Sequence, residues 1–420
     1  MGLIASHKPP PPGHRGLSMP NKYLIRSLIL LGCCEFLFTA TLSIGNTLAG
    51  VVGSVLTTNA NLATAPYAAM TLVTALATVF ASFLMRRVGR RWGFLIGGVA
   101  CLMGGSVAVL AIWAGSFTIF CVGYGLIGIF KAFAQYYRFA AAEVVTGNSR
   151  HLKARAISLV FIGCFIAAFV GPQLGAHVRN AIPGFPYAGS FLAIVVLGML
   201  TILVVLALRL PEESAIAERS VGTARSLAVL ASQPDFMAAV ASCTLGYSAM
   251  AFIMAATPIA VVAAGHPLTD AAFVMQMHFV GMYGPSFFTG RLIGRIGVRR
   301  TIAAGAGFLI LCGVIALGGT STPRFAVALL CCGVGWNWMY IGGTTLLTAT
   351  YRPEERAKAQ ACNEFVMFAA VTLISFATGW ILQNYGWSGV QYVAFVILAA
   401  ALGVLVWAGL QRANALRSAT

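Results

Sequence analysis

Long apolar runs, repeated the length of the chain, decide most of what this sequence can become. Twelve of them fall at approximately 23–49, 62–85, 92–114, 117–145, 156–178, 188–208, 236–264, 271–293, 301–319, 324–349, 357–383 and 389–411. Crossing the hydrocarbon core of a bilayer takes roughly 20 apolar residues of helix. With 59% hydrophobic residues and only 9% charged in 420, nothing is left over for a soluble domain. The expectation is an all-α membrane protein of twelve transmembrane helices.

The formal charge of +17 invites a polyanionic partner, but its distribution argues against one. With a cytoplasmic N-terminus, the inner loops collect Arg86, Arg87, Arg90, Arg91, Arg150, Lys153, Arg155, Arg291, Arg295, Arg299, Arg300, Arg352, Arg356 and Lys358. The outer loops keep Arg179 and Arg324. That asymmetry is the positive-inside rule; it predicts a multi-pass protein with both termini cytoplasmic, lipid as its surroundings and no nucleic-acid partner. The ten cysteines stand singly or as the doublets Cys33-Cys34 and Cys331-Cys332, with no CxxC spacing, so neither a disulfide framework nor a zinc site is expected. No P-loop, nucleophile elbow or metal-hydrolase spacing occurs, so the chain reads as no enzyme and as needing no cofactor.

Residues 1–22, Pro-rich and polar, read as a cytoplasmic tail and not as a cleaved signal. The longest hydrophilic interruption, 209–235, divides six spans (23–208) from six (236–411), and 412–420 forms a second tail. Each half carries a basic, Gly-containing turn between its second and third spans. The first runs Ser82-Phe-Leu-Met-Arg86-Arg87-Val-Gly89-Arg90-Arg91, the second Gly290-Arg-Leu-Ile-Gly294-Arg295-Ile-Gly297-Val-Arg299-Arg300. Matching landmarks argue for an internal duplication with a substrate site between the halves. The turns resemble the G-x-x-x-D-R-x-G-R-R signature of the major facilitator superfamily. That resemblance implies a fold of two six-helix halves, with Arg87, Gly89, Arg295 and Gly297 in the gate on the cytoplasmic side. Arg86 stands where the family has Asp, and Ser82 where it has Gly. In the fifth span, Gly171-Pro172-Gln-Leu-Gly175 is similar to a motif of proton-linked drug exporters.

Two neighbouring spans carry soft donors at helical spacing. Met250 and Met254 share one face of the seventh, His278 and Met282 one face of the eighth. By the 1.5 Å rise, all four lie within reach of one level near mid-membrane. Thioethers with a neutral imidazole suit Cu(I) better than harder cations, and an intramembrane His is a functional candidate. The alternative is packing, since Met is a common filler of apolar helices. The pair of motifs, M-x-x-x-M then H-x-x-x-M, resembles the CcoA-type copper importers of the same superfamily. That resemblance implies Met250, Met254, His278 and Met282 as copper ligands. It also implies secondary-active copper import across the bacterial inner membrane for cbb3-type oxidase assembly; a cytoplasmic copper chaperone is a candidate partner, the acceptor itself not being readable from the sequence. Met275, Cys243, Cys33 and Cys34 are accessory candidates, weighed against simple packing.

Four charges fall inside spans: Glu35, Lys131, Arg138 and Glu364. By depth, Glu35 and Lys131 are placed to pair in the cavity, and Arg138 with Glu364 nearer the inner face, for coupling or gating. Glu35 is the candidate coupling carboxylate, the alternative being a structural salt bridge. Unpaired, the two cations would favour instead an organic anion, as in the riboflavin importers that resemble the same branch; the alternative function is a carrier for a small organic solute such as riboflavin, or a proton-linked drug exporter.

Overall fold

The computed structural model describes residues 21–145, 150–210 and 225–418. The tail at 1–20, most of the linker (211–224) and the side chains of Arg86, Arg150, Lys153 and Arg155 lie outside that description. Among the described residues every regular element is helical. Ten helices are long and apolar enough to cross a membrane. Two departures from that tally explain the twelve crossings. The eighth span is broken into Leu268–Tyr283 and Ser286–Ile296, each too short alone, because Pro285 cannot donate to the helical ladder. The eleventh and twelfth form one element, Arg356–Ser418, interrupted only at Gly386 with φ 66.

The other spans are Asn21–Leu56, Ala65–Val88, Arg90–Trp113, Phe117–Ala134 with Tyr137–Val144, Arg150–His177, Ala188–Ala207, Pro234–Ala263, Val298–Leu317 and Thr322–Thr348. The fourth span is divided next to Lys131 by a tightened turn, in which Tyr136 N bonds Phe133 O at 3.1 Å and Phe139 N bonds Tyr136 O at 3.1 Å. Such local tightening often accompanies a hinge.

The duplication is visible in the backbone. Gly89 adopts φ 86, ψ 154 and Gly297 adopts φ 87, ψ 154. This region is essentially closed to residues with a Cβ. Both positions have open space around them, so conformation and not crowding demands glycine there. Two residues on, the arginines also match. Arg91 donates to Val205 O (3.3 Å) and Leu206 O (2.5 Å) at the end of the sixth span. Arg299 donates to Leu405 O at 3.4 Å in the twelfth, and pairs with Asp235. In each half a cation thus meets carbonyls of that half's last span, near the helix C-terminus in the first half and within the helix in the second.

Among the described residues, several hydrogen bonds between the halves lie away from these basic turns. Thr64 Oγ1 donates to Ser375 O (2.9 Å) and accepts from Gly379 N (3.0 Å). Asn384 Nδ2 reaches Asn61 Oδ1 at 3.2 Å, and Gln173 Nε2 reaches Gln276 Oε1 at 3.1 Å. These contacts fasten the face opposite the basic turns.

Candidate functional site

The four soft donors are all buried: Met250, Met254, His278 and Met282. Their partners lie in different directions. Met254 Sδ accepts from Asn46 Nδ2 of the first span at 4.0 Å. His278 Nδ1 lies 3.1 Å from Leu329 O of the tenth span. A carbonyl only accepts, so Nδ1 carries the proton and Nε2 is left as a buried acceptor with no hydrogen-bond partner. The eighth and tenth spans touch closely here, since a Cβ on Gly333 would stand 2.3 Å from His278 O. No hydrogen bond joins His278 to a thioether among the described residues. Met275 is core, and Cys243 Sγ faces Tyr340 O at 3.8 Å. Cys34 is buried, whereas Cys33 opens onto a groove of about 520 Å³ between the first and fifth spans, shared with Ile25, Ile29 and Ile162. That groove is almost wholly apolar and faces where lipid would lie.

The charged residues converge better. Glu35 is buried and accepts from Cys164 Sγ at 3.4 Å. Arg138 faces Glu35 of the first span and both Glu364 and Tyr340 of the second half, so it links the halves electrostatically. The expected Glu35–Lys131 pair does not form. Lys131 turns instead to the eleventh span, its Nζ 5.8 Å from the centroid of the Phe368 ring. It makes no hydrogen bond or ion pair among the described residues.

Beyond Phe368 stands a group of rings that sequence reasoning had no means to select. Trp336 and Tyr340, one turn apart on the tenth span, are stacked at 5.2 Å with 7° between planes. Tyr247 of the seventh span meets both edge-on, at 5.6 and 6.1 Å, and lies 6.2 Å from Phe368. Trp336 Nε1 is buried with no partner among the described residues, as is Asn363 Oδ1. The one sequence signal was the W-x-x-x-Y spacing at 336 and 340. What assembles here is a flat aromatic wall with an ammonium and unmet polar atoms beside it.

The motif arginines are placed differently from expectation. Arg87 lies over its neighbour Phe83 at 5.5 Å, and Arg295 is exposed. It is the residues after the glycines that pair, Arg90 with Glu143 at 2.5 Å and Arg299 with Asp235. A further pair, absent from the sequence reading, closes the linker onto the second half. Arg225 grips Glu355 through Nε and Nη2, each at 2.7 Å, and through its own backbone N at 2.9 Å. Arg352 N adds a bond of 2.9 Å. The Arg225 guanidinium, helped by these amides, holds the Glu355 carboxyl well below the usual carboxylate range.

The comparisons with known proteins agree on the architecture. The Major Facilitator Superfamily model matches residues 28–343 and 286–419. The riboflavin transporter RfnT of Brucella anthropi is 39% identical over 381 residues, spanning 91% of this chain and 95% of that protein. The uncharacterized MFS-type transporter YddS of Bacillus subtilis is 26% identical over 409 residues, 92% of each chain. Among solved structures, the crystal structure of nucleoside transporter NupG superposes with TM-score 0.64 at 13% identity, covering 91% of this chain and 98% of that one. The expectation of copper import is corrected by these findings, because a relative of this identity and coverage is a riboflavin transporter. The physical reason is also in view. Among the described residues Lys131 forms no ion pair while Arg138 faces both glutamates, so the pairing that would have removed the objection to copper is only half made.

Proposed function

The chain belongs to the major facilitator superfamily, and from that premise we propose that it is a secondary carrier for a small, flat organic solute of the riboflavin kind. The observation that carries this reading is the stacked Trp336–Tyr340 pair, edged by Tyr247 and Phe368, with Lys131 alongside. Fused heteroaromatic rings bury large areas against such side chains and prefer offset stacking. The flanking polar atoms, Trp336 Nε1 and Asn363 Oδ1, supply a donor and an acceptor for the cargo's heteroatoms.

In this reading the cargo sits between the halves, as in carriers built from repeated bundles. The fastened face opens when the Thr64, Asn61 and Gln173 contacts part, and the basic side closes in turn. The arginine asymmetry orients that basic side toward the cytoplasm of a bacterial inner membrane. Glu35 is the carboxylate that carries a coupled proton, its negative charge shared with Arg138.

The experiment is uptake of radiolabelled riboflavin by cells that lack any other importer and express this chain. Accumulation above the empty-vector level is expected, with Glu35→Gln flattening its pH dependence. Uptake no greater than vector, at verified membrane abundance, refutes the cargo; an unchanged pH profile in the variant removes Glu35 from coupling.

A further inference from the structure

Resting on that cargo reading, we infer that Lys131 is the residue by which the carrier discriminates among flat molecules: its ammonium donates to a carbonyl on the edge of the ring system held by Trp336 and Tyr340. Lys131 is notable first for what it lacks. It is only 7% exposed and has no hydrogen bond or ion pair among the described residues, and such a buried ammonium is costly inside a membrane. The face of Phe368 at 5.8 Å offsets part of that cost through the ring quadrupole. It leaves three N–H donors unused.

The two intramembrane carboxylates are engaged elsewhere. Glu35 is engaged by Cys164 at 3.4 Å, and both Glu35 and Glu364 face Arg138. Written as charged, the two cations and two carboxylates sum to zero, so an uncharged cargo leaves the site balanced whereas a phosphate ester would not. The ligand class that fits is a neutral heteroaromatic bearing ring carbonyls.

Position supports the same assignment. Phe368, under Lys131, is packed with Tyr247, and Tyr247 meets both stacked rings. Lys131 is thus joined to the stacked pair through Phe368 and Tyr247, on the Phe368 side of the aromatic group. A ring system that stacks on the pair and extends past Tyr247 toward Phe368 would present its edge to the ammonium. Lys131 comes from the fourth span, the wall from the seventh, tenth and eleventh. A cargo joining them bridges the two halves, so the same hydrogen bond that reads identity also reports occupancy to both.

The test uses the full-length purified protein, with binding followed calorimetrically. Three probes are titrated: riboflavin, lumiflavin (which keeps the ring carbonyls but lacks the ribityl chain) and acridine (a flat tricycle without carbonyls). Lys131→Met is expected to weaken riboflavin and lumiflavin alike by about tenfold to a hundredfold, the worth of a charge-assisted hydrogen bond. Acridine binding should stay within about twofold, and Lys131→Arg should recover part of the loss for the two flavins. Unchanged riboflavin affinity in Lys131→Met overturns the inference. So does an equal loss for acridine, which would mark a packing role, or a loss confined to riboflavin, which would place Lys131 on the ribityl chain. If the wild-type protein binds neither flavin, the cargo reading itself fails, and with it this deepening of it.

Discussion

Two regions of the second half invite a functional reading, and they differ in how they are built. The soft-donor set lies on neighbouring spans, seventh and eighth, and its spacing can be read off one line of sequence. In the structure, Met254 turns to Asn46 of the first span and His278 to Leu329 of the tenth. The aromatic wall draws on the seventh, tenth and eleventh spans, with Lys131 added from the fourth. Its members are scattered over more than two hundred residues, yet their rings touch. The lesson is that helical spacing fixes which residues share a face, whereas neighbours decide what that face looks at.

The two regions part most cleanly at Trp336. Trp336→Ala removes one leaf of the stacked pair, and aromatic stacking of a base is worth roughly 1–3 kcal/mol by alanine substitution. Riboflavin uptake should fall by about one to two orders of magnitude, while Trp336→Phe keeps most of it. Uptake curves at matched membrane abundance decide this. An alanine variant that transports normally would strip the wall of its role.

Depth was legible in the sequence and azimuth was not. The rise of 1.5 Å per residue places Glu35 and Lys131 at similar levels, but a level does not say which way a side chain points around its helix. The third dimension sent Glu35 toward Cys164 and Arg138, and Lys131 toward Phe368. The spans themselves were readable because membrane thickness imposes their length. Even so, the run at 271–293 passed through Gly284-Pro285, where the helix is broken. The paired turns were readable for a backbone reason, since Gly89 and Gly297 share one positive-φ conformation. The Arg225–Glu355 clamp was not, because its partners stand 130 positions apart with no periodicity joining them.

That clamp gives a control outside both regions, with an intermediate effect. Glu355→Gln should lower the thermal unfolding midpoint at neutral pH and leave riboflavin affinity within about twofold, since no ring or charge of the wall is touched. The sign of the pH dependence follows from the depressed carboxyl. Its contribution is present above the ordinary carboxylate pKa, about 4.3, and is lost as pH falls toward the lower folded value. The wild-type advantage over Glu355→Gln should therefore shrink below about pH 4. A gap that persists at lower pH would mean the clamp acts through packing and not through charge.

The smallest effect is expected from the soft donors. Met250→Leu, Met254→Leu and Met282→Leu keep volume and apolarity, and swaps of this kind in a packed interior usually cost less than about 1.5 kcal/mol. All three side chains are buried, at 1%, 3% and 6% exposure, so the role expected of them is filling. Uptake should remain within about twofold of wild type for each, with Met254 the most sensitive because Leu cannot accept from Asn46 Nδ2. The informative result is the contrast at equal abundance. If the leucine variants lose as much riboflavin uptake as Trp336→Ala, the thioethers line the cargo's path, and the division between a packing face and a recognising wall is wrong.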